Sequence, residues 1–452
     1  MTVKIKKVLA MVCLLLCGTS TAWAERVSLA ELELEQNGAP VKFELVGEKL
    51  NGGYANDLLL LMKNADKKIL TAYKPPVDGG YNCLLEAVQV QEGDKNVLLS
   101  IGRGNWRAGR DFLLLDFKEP KNVREVFADT DNFGVVKNVV WDGDAIKVTM
   151  ADGKTHDVEI DQDMLEQINR RGKEPAYNGL TSLVAHDFDG DGKDELLSTQ
   201  SIVADKKVLA DVGAMWRLQE VDGKKEWKTG KYTIMLASSG KNNTINDGVD
   251  AEDYCVFPRK LVLPGGEATY PVVAYKNNPA LQNEVNALLM KETKPLLERF
   301  YHGEADVAFN VAVTSPYLLS LQLISGKSSF VHHNVHLDVE TGKLIKIEDI
   351  LDTKQEDLFK LLNLLNNNKS IDFTKGLPKE WYIKEDKLFF LGIVSGKEEV
   401  AGFALGNLHK FIKPQKWIGK NSDWPVSRIQ KRENKQVLRS KMPLIKREDA
   451  CF

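Results

Sequence analysis

Between Val41 and Tyr232 the apolar positions recur mostly with a period of two, in short runs broken by turns. That alternation buries one face of a β-strand and leaves the other in solvent. The stretch from Val139 to Ile160 shows it: Ile146, Val148 and Met150 alternate with polar residues, then Asp152-Gly153 reverses the chain. An Asp-Gly pair between alternating runs predicts a hairpin. One short helix is predicted from Met164 to Arg170.

Four turn-then-apolar segments in this half resemble one another. Asn51-Gly52-Gly53 leads to Leu58-Leu59-Leu60-Leu61, and Glu92-Gly93-Asp94 leads to Val97-Leu98-Leu99. Asp142-Gly143-Asp144 leads to Ile146, and Asp189-Gly190-Asp191-Gly192 leads to Leu196-Leu197. Recurrence every ~40–50 residues is the range of propeller blades or similar repeated sheets. An all-β domain whose turns merely share glycine and aspartate is the alternative.

After the polar segment Asn242 to Asp250 the pattern becomes mixed. Tyr270 to Tyr275 reads as a strand. Asn278 to Tyr301 carries Leu281, Val285, Leu288, Leu289, Leu296 and Leu297 at helical spacing, with Pro295 expected to kink or end one turn. Val307 to Val313, Tyr317 to Ile324 and Val331 to Val339 read as strands, Glu340 to Lys343 as a tight turn, and Ile347 to Leu365 as a helix. The expected fold is multidomain: an all-β, propeller-like amino-terminal domain, then an α+β carboxy-terminal domain.

The first residues change the picture from fold to destination. Lys4, Lys6 and Lys7 precede an apolar run from Val8 to Leu16, and small residues then lead to Ala22-Trp23-Ala24. This is the pattern of a cleaved secretory leader, too short in its apolar run to span a bilayer. Cys17 raises lipid attachment as an alternative, disfavoured by Leu15 and Leu16 before it. The expected layout is a signal peptide over 1–24, a β-rich domain over 25–255, an α+β domain over 262–412 and a basic tail over 413–452. The protein is expected to be exported, periplasmic or secreted, with no transmembrane segment in the mature chain.

A net charge of −3 gives no global sign of nucleic-acid binding. After the leader only Cys83, Cys255 and Cys451 remain, so at least one thiol stays free or pairs between chains. Cys83 and Cys255 could form one disulfide; the sequence does not place them together.

One repeat segment carries chemistry. In Asp187-Phe-Asp189-Gly-Asp191-Gly-Lys193-Asp-Glu195, carboxylates stand at positions one, three, five and nine, and Lys193 can offer its backbone carbonyl at seven. Hard oxygen donors at that spacing suit Ca²⁺, and so many close carboxylates would otherwise repel. An EF-hand is excluded because position twelve is Ser198 rather than a bidentate Glu. The loop resembles those of FG-GAP and VCBS-type repeats, which implies a structural calcium between two strands of a blade. The expected metal ligands are Asp187, Asp189, Asp191, Lys193 and Glu195. Asn51 to Asp57 and Glu92 to Asn96 read as copies that kept the turn and lost the metal.

The order of elements from about 268 to 412 resembles the domain of RsiV-type anti-sigma factors and some peptidoglycan deacetylases. The residues that carry this are Tyr270-Pro-Val272, the Asn277 to Leu289 helix and Ser315-Pro-Tyr-Leu-Leu-Ser-Leu321. Leu337-Asp-Val-Glu-Thr-Gly-Lys-Leu-Ile345 with Glu348-Asp-Ile-Leu351, Leu388-Phe-Phe390 and Gly406 complete the set. Ser395 to Glu399 departs from the aromatic, Pro-Tyr-containing segment usual there, and neither a deacetylase domain nor a cytoplasmic sigma-binding segment is read in the chain. The resemblance implies a sensing or binding module of the cell envelope, with lysozyme or peptidoglycan fragments as candidate partners.

Other constellations are weaker. His332 and His336 fall on one strand face and could share a metal, although exposed or hydrogen-bonded strand histidines, His333 included, are the favoured reading. Gly102-Arg-Gly104 lacks the strand-to-helix setting of a nucleotide fingerprint. No hydrolase elbow, zinc helix or P-loop motif is present. Lys431-Arg432, Lys435, Arg439, Lys441 and Lys446-Arg447 make the tail basic, with Trp417 and Trp424 near its start, for anionic envelope polymers or for solvent alone. The expected function is non-enzymatic binding or sensing. The alternatives are a cell-wall glycan hydrolase using an unidentified carboxylate pair, or a calcium-stabilised adhesion or scaffold protein.

Overall fold

The computed structural model of the protein describes residues 26–414, apart from 37, 51–52, 92–93, 105–108, 130–133, 169–173, 189, 223, 238–248, 252, 328–329, 367–370, 385–386 and 395–396. The leader, Asp189, Cys451 and the tail beyond 414 lie outside the described residues.

The first sheet contains β1 (Arg26–Gln36), β2 (Ala39–Lys49), β3 (Ala55–Asn64), β4 (Ile69–Tyr73), β5 (Gly79–Gln91), β6 (Asp94–Gly102), β7 (Arg110–Asp116) and β8 (Arg124–Asp129). Only the pairs Ala55–Gly80 and Asn56–Gly79 join β3 to β5, so the sheet is two four-stranded antiparallel meanders joined at one corner. A three-stranded sheet follows, of β9 (Val136–Asp142), β10 (Ala145–Met150) and β11 (Thr155–Glu159). After the short helix α1 (Gln162–Glu166) comes another four-stranded meander of β12 (Ala176–His186), β13 (Glu195–Ala204), β14 (Lys207–Val221) and β15 (Lys224–Leu236). The amino-terminal half is therefore all-β except for α1, and its sheets are open among the described residues.

The turn-then-apolar segments have a common place in this layout. β6, β10 and β13 are each the second strand of their own meander, whereas the first segment leads into β3, the third strand of its meander. Where one face is buried the alternation survives: in β10 Ile146, Val148 and Met150 are buried and their neighbours are not. Where both faces are buried it is lost. Leu113 and Leu115 of β7 face one core while Phe112 and Leu114 face another, which explains their unbroken apolar run.

The second half builds a six-stranded sheet from β16 (Val249–Asp250), β17 (Tyr254–Leu263), β18 (Gly266–Tyr275), β19 (Asp306–Thr314), β20 (Leu318–Gly326) and β21 (Phe330–Asp338). Helix α2 (Pro279–Tyr301) is the crossover that lets β18 and β19 meet in parallel, at Ala268 and Val307. Asn278 caps it by accepting the Leu281 N–H, with Pro279 in the first turn. α3 (Ile347–Ile350) and α4 (Glu356–Leu365) then lead to a three-stranded sheet of β22 (Glu380–Lys384), β23 (Lys387–Val394) and β24 (Lys397–Ala404).

Two helix expectations need correction. Pro295 neither ends nor interrupts α2, because Leu296, Leu297 and Phe300 beyond it are buried and hold the helix on the sheet. The helix expected from Ile347 to Leu365 is two helices. Leu351 is extended (φ −105°, ψ 143°) and pairs with Ile412, while Asp352 N–H and Ile350 C=O bond Phe411 and Lys413. The returning segment Phe411 to Lys413 takes the backbone groups that a continuous helix would have used.

The halves share one core. Leu84 of β5, Val184 of β12 and Leu197 of β13 pack with Tyr254, Tyr270, Leu281 and Val285 of the second half. β14 and β17 approach so closely that a Cβ on Gly213 would lie 2.1 Å from the Val262 carbonyl oxygen. Polar ties cross the same junction: Thr199 Oγ1 donates to Lys260 C=O (2.8 Å), Lys260 Nζ pairs with Asp211 (2.7 Å), and Gln282 Nε2 donates to Cys83 C=O (3.2 Å). Among the described residues no helix is long and apolar enough to cross a membrane.

Candidate metal centre

The aspartate loop closes the β12–β13 hairpin, directly after the paired residues His186 and Glu195. It is wound around the Asp187 carboxylate. Asp187 Oδ1 accepts the N–H groups of Gly190 (2.7 Å) and Asp191 (3.0 Å), and Oδ2 accepts that of Gly192 (2.9 Å). Positive φ angles at Gly190 (76°) and Gly192 (82°) turn those N–H groups inward. Glu195 closes the ring from the strand, its Oε2 accepting the Phe188 N–H at 2.9 Å.

The remaining predicted ligands sit on the same loop. Asp191 accepts the Lys193 N–H at 2.9 Å and pairs with Lys193 Nζ at 3.0 Å, and that lysine holds its carboxyl below the usual range. Both side chains are about half exposed, so this pair is a weak competitor for a cation. Arg217 Nε stands 3.6 Å from Glu195 Oε1. Asp189 lies outside the described residues. Among the described residues no three His, Cys, Asp or Glu side chains already form a metal cage. In kind the donors fit a hard cation: carboxylate and carbonyl oxygens only, with Asp187 and Glu195 fixed by backbone N–H groups.

Asp194 was not among the expected ligands, and the structure gives it a different job. Its N–H donates to Gln89 C=O and its Oδ2 accepts the Gln89 N–H, both at 2.7 Å, while Gln89 Nε2 donates to Gly192 C=O. This staples the loop to β5. Burial pushes the Asp194 carboxyl up, and the Gln89 N–H offsets part of that. On the other side of the loop His186 stacks on Tyr301 at 4.0 Å, and Phe188 meets the same ring edge-on at 5.3 Å. The loop thus touches a strand of the first sheet and the last residue of α2.

His332 and His336 of β21 are not brought together. Residues four apart on a strand stand about 13 Å from each other, and each ring has found its own partners. His332 Nδ1 bonds Glu398 (2.8 Å) of β24. His333 lies between Glu380 (Nδ1, 3.0 Å) and Glu292 (Nε2, 2.9 Å), whose bonds to it hold its pKa up against burial. His336 is buried between Ser320 Oγ (2.9 Å) and Trp381 C=O (2.8 Å), stacks on Trp381, and is pushed down to about 4 by burial.

A second polar cluster left no motif in the sequence. Arg259 of β17, 5% exposed, pairs through Nη1 with Glu86 of β5 at 2.7 and 2.9 Å. Arg110 of β7, equally buried, donates to Ser100 Oγ, Ser100 C=O and Asn82 C=O, and lies over the Phe257 ring. Burial and the like charge of Arg259 push Arg110 down to about 10. Cys83 and Cys255 are buried and not joined by a disulfide, and burial pushes the Cys83 thiol up to about 12. Arg110 opens β7 beside Asp111 and Arg259 stands beside Lys260 in β17, so no spacing marked either in the sequence.

No family model matches the chain, and no curated protein matches it.

Proposed function

We propose that the protein is an exported, calcium-stiffened binding or sensing protein of the cell envelope, non-enzymatic, with lysozyme or peptidoglycan fragments as its ligands. The observation that carries this reading is the setting of the 187–195 loop. It closes a hairpin within a four-stranded antiparallel meander, the place a propeller-like blade would offer, and it touches β5 and α2 at once. A cation held by Asp187, Asp189, Asp191, the Lys193 carbonyl and Glu195 would fix Phe188 against Tyr301 and so brace the junction between the halves. Its role is structural, by linkage to the folded state.

The leader pattern supports export, and the resemblance of 268–412 to the RsiV-type domain supplies the ligand class. The Asp338-Val-Glu-Thr-Gly-Lys343 turn in that resemblance has a clear physical basis here. Asp338 Oδ1 accepts the N–H groups of Glu340 and Thr341, and a Cβ on Gly342 (φ 69°) would lie 2.7 Å from Leu281 of α2.

The test is a calorimetric titration of the chain from Glu25 onward with lysozyme in calcium buffer. Saturable binding with Kd near or below about 1 μM, weakened by chelator, is expected. Absence of heat with lysozyme and with soluble peptidoglycan fragments alike would overturn the ligand assignment.

A further inference from the structure

A groove of about 520 Å³ opens between β1, β5, β18 and α2. That volume suits a small ligand of several non-hydrogen atoms up to drug size. Leu32, Ala87 and Met290 give it apolar surface, and Glu33 and Glu284 stand exposed at its edge. Its lining also includes Arg259 and Tyr270, which are 5% and 2% exposed.

Two features of the buried lining are out of balance. Arg259 spends Nη1 on Glu86, but its buried Nη2 has no hydrogen-bond partner. The Tyr270 hydroxyl engages that guanidinium only loosely: the two act on each other as side-chain hydrogen-bond partners, yet neither Nη2 nor the buried hydroxyl oxygen meets the distance and angle of a well-formed bond. Buried polar groups without partners are costly and uncommon. The charge is uneven as well. Arg110 and Arg259 are both buried and close enough to repel, while among the described residues Glu86 is the one carboxylate paired with either. Such an interior favours one more anionic oxygen at the unused Nη2.

We propose that this groove binds the free carboxylate end of a short peptide. The carboxylate accepts from Arg259 Nη2 and Tyr270 Oη, and Glu86, whose side chain is 36% exposed, yields space while keeping Nη1. The amino group of the same peptide meets Glu33 and Glu284, and its side chains lie on Leu32 and Met290. The acidic edge excludes simple anions and selects a zwitterion. This deepens the reading of the chain as a binding protein and rests on it, but it does not depend on the calcium loop.

The test is calorimetry of the full chain with alanyl-alanine in its L,L and D,D forms, beside the N-acetylated and C-amidated compounds. Saturable binding of either stereoisomer is expected, and the preferred one tells a protein end from a cell-wall stem peptide. Amidation and Tyr270→Phe should each weaken binding about tenfold, the scale of one hydrogen bond to a charged group. Glu284→Gln should weaken the free-amine dipeptide but not the N-acetyl form, which the lost negative charge no longer repels, a difference that a folding defect could not produce. No binding of either form up to about 10 mM, or binding indifferent to amidation, overturns the proposal. Lysozyme binding without dipeptide binding would sink this inference alone, whereas dipeptide binding without lysozyme binding would sink that partner alone.

Discussion

His333 has a carboxylate oxygen within 3.0 Å of each ring nitrogen, and a neutral imidazole has only one N–H to offer. The ring is therefore an imidazolium clip joining β21 to α2 and β22. His336, three residues on, is the opposite case, buried and neutral. Their pH dependences oppose each other. His333 has a raised folded pKa, so its stabilisation is fully present below pH ~6.5 and is lost as pH rises through the folded value. His336 is depressed to about 4, so the unfolded state binds the extra proton and stability falls as pH drops from ~6.5 towards 4. That loss is on the order of 3 kcal/mol at full extent. Melting curves from pH 4 to 9 should show both limbs. His333→Gln should flatten the alkaline limb only and His336→Asn the acid limb only; a profile unchanged by either variant would refute these assignments.

At the scale of elements, legibility followed how many faces of a strand are buried. The β9–β10–β11 hairpins were readable because one face is wet, so alternation and the Asp-Gly turns agree. β7 and β13 gave runs of leucine that fix no face, since each packs into more than one core. The break after Ile350 was illegible for a different reason: its cause, Ile412, is some sixty residues away in sequence. The 187–195 segment was legible as a turn between two strands, but its staple to Gln89 and its contact with Tyr301 are long-range and left no spacing to read. The Arg259–Glu86 pair is hidden likewise, its partners being 173 residues apart.

At the scale of the whole molecule, the two halves act as one packed body where β17 lies on β14. Gly213 is required there, because any side chain would meet the Val262 backbone. Gly213→Ala should cost about 1–3 kcal/mol as an overpacking strain, seen as a lower urea midpoint with unchanged slope; a neutral substitution would mean that the junction is looser than the structure has it. The 187–195 loop touches the same junction at its edge, through Phe188 and Tyr301, and our proposal is that calcium braces it there. The account therefore stands most directly on one measurement, differential scanning calorimetry of the wild type and Asp187→Asn in calcium and in chelator. The wild type should melt a few degrees higher in calcium, from a linkage term of about 3 kcal/mol at a hundredfold excess over Kd. Asp187→Asn should melt at one temperature in both buffers, at or below that of the chelated wild type, because it also loses the acceptor of the Gly192 N–H. A wild-type melt indifferent to calcium and chelator would contradict the account, leaving the loop as a turn held by its own backbone.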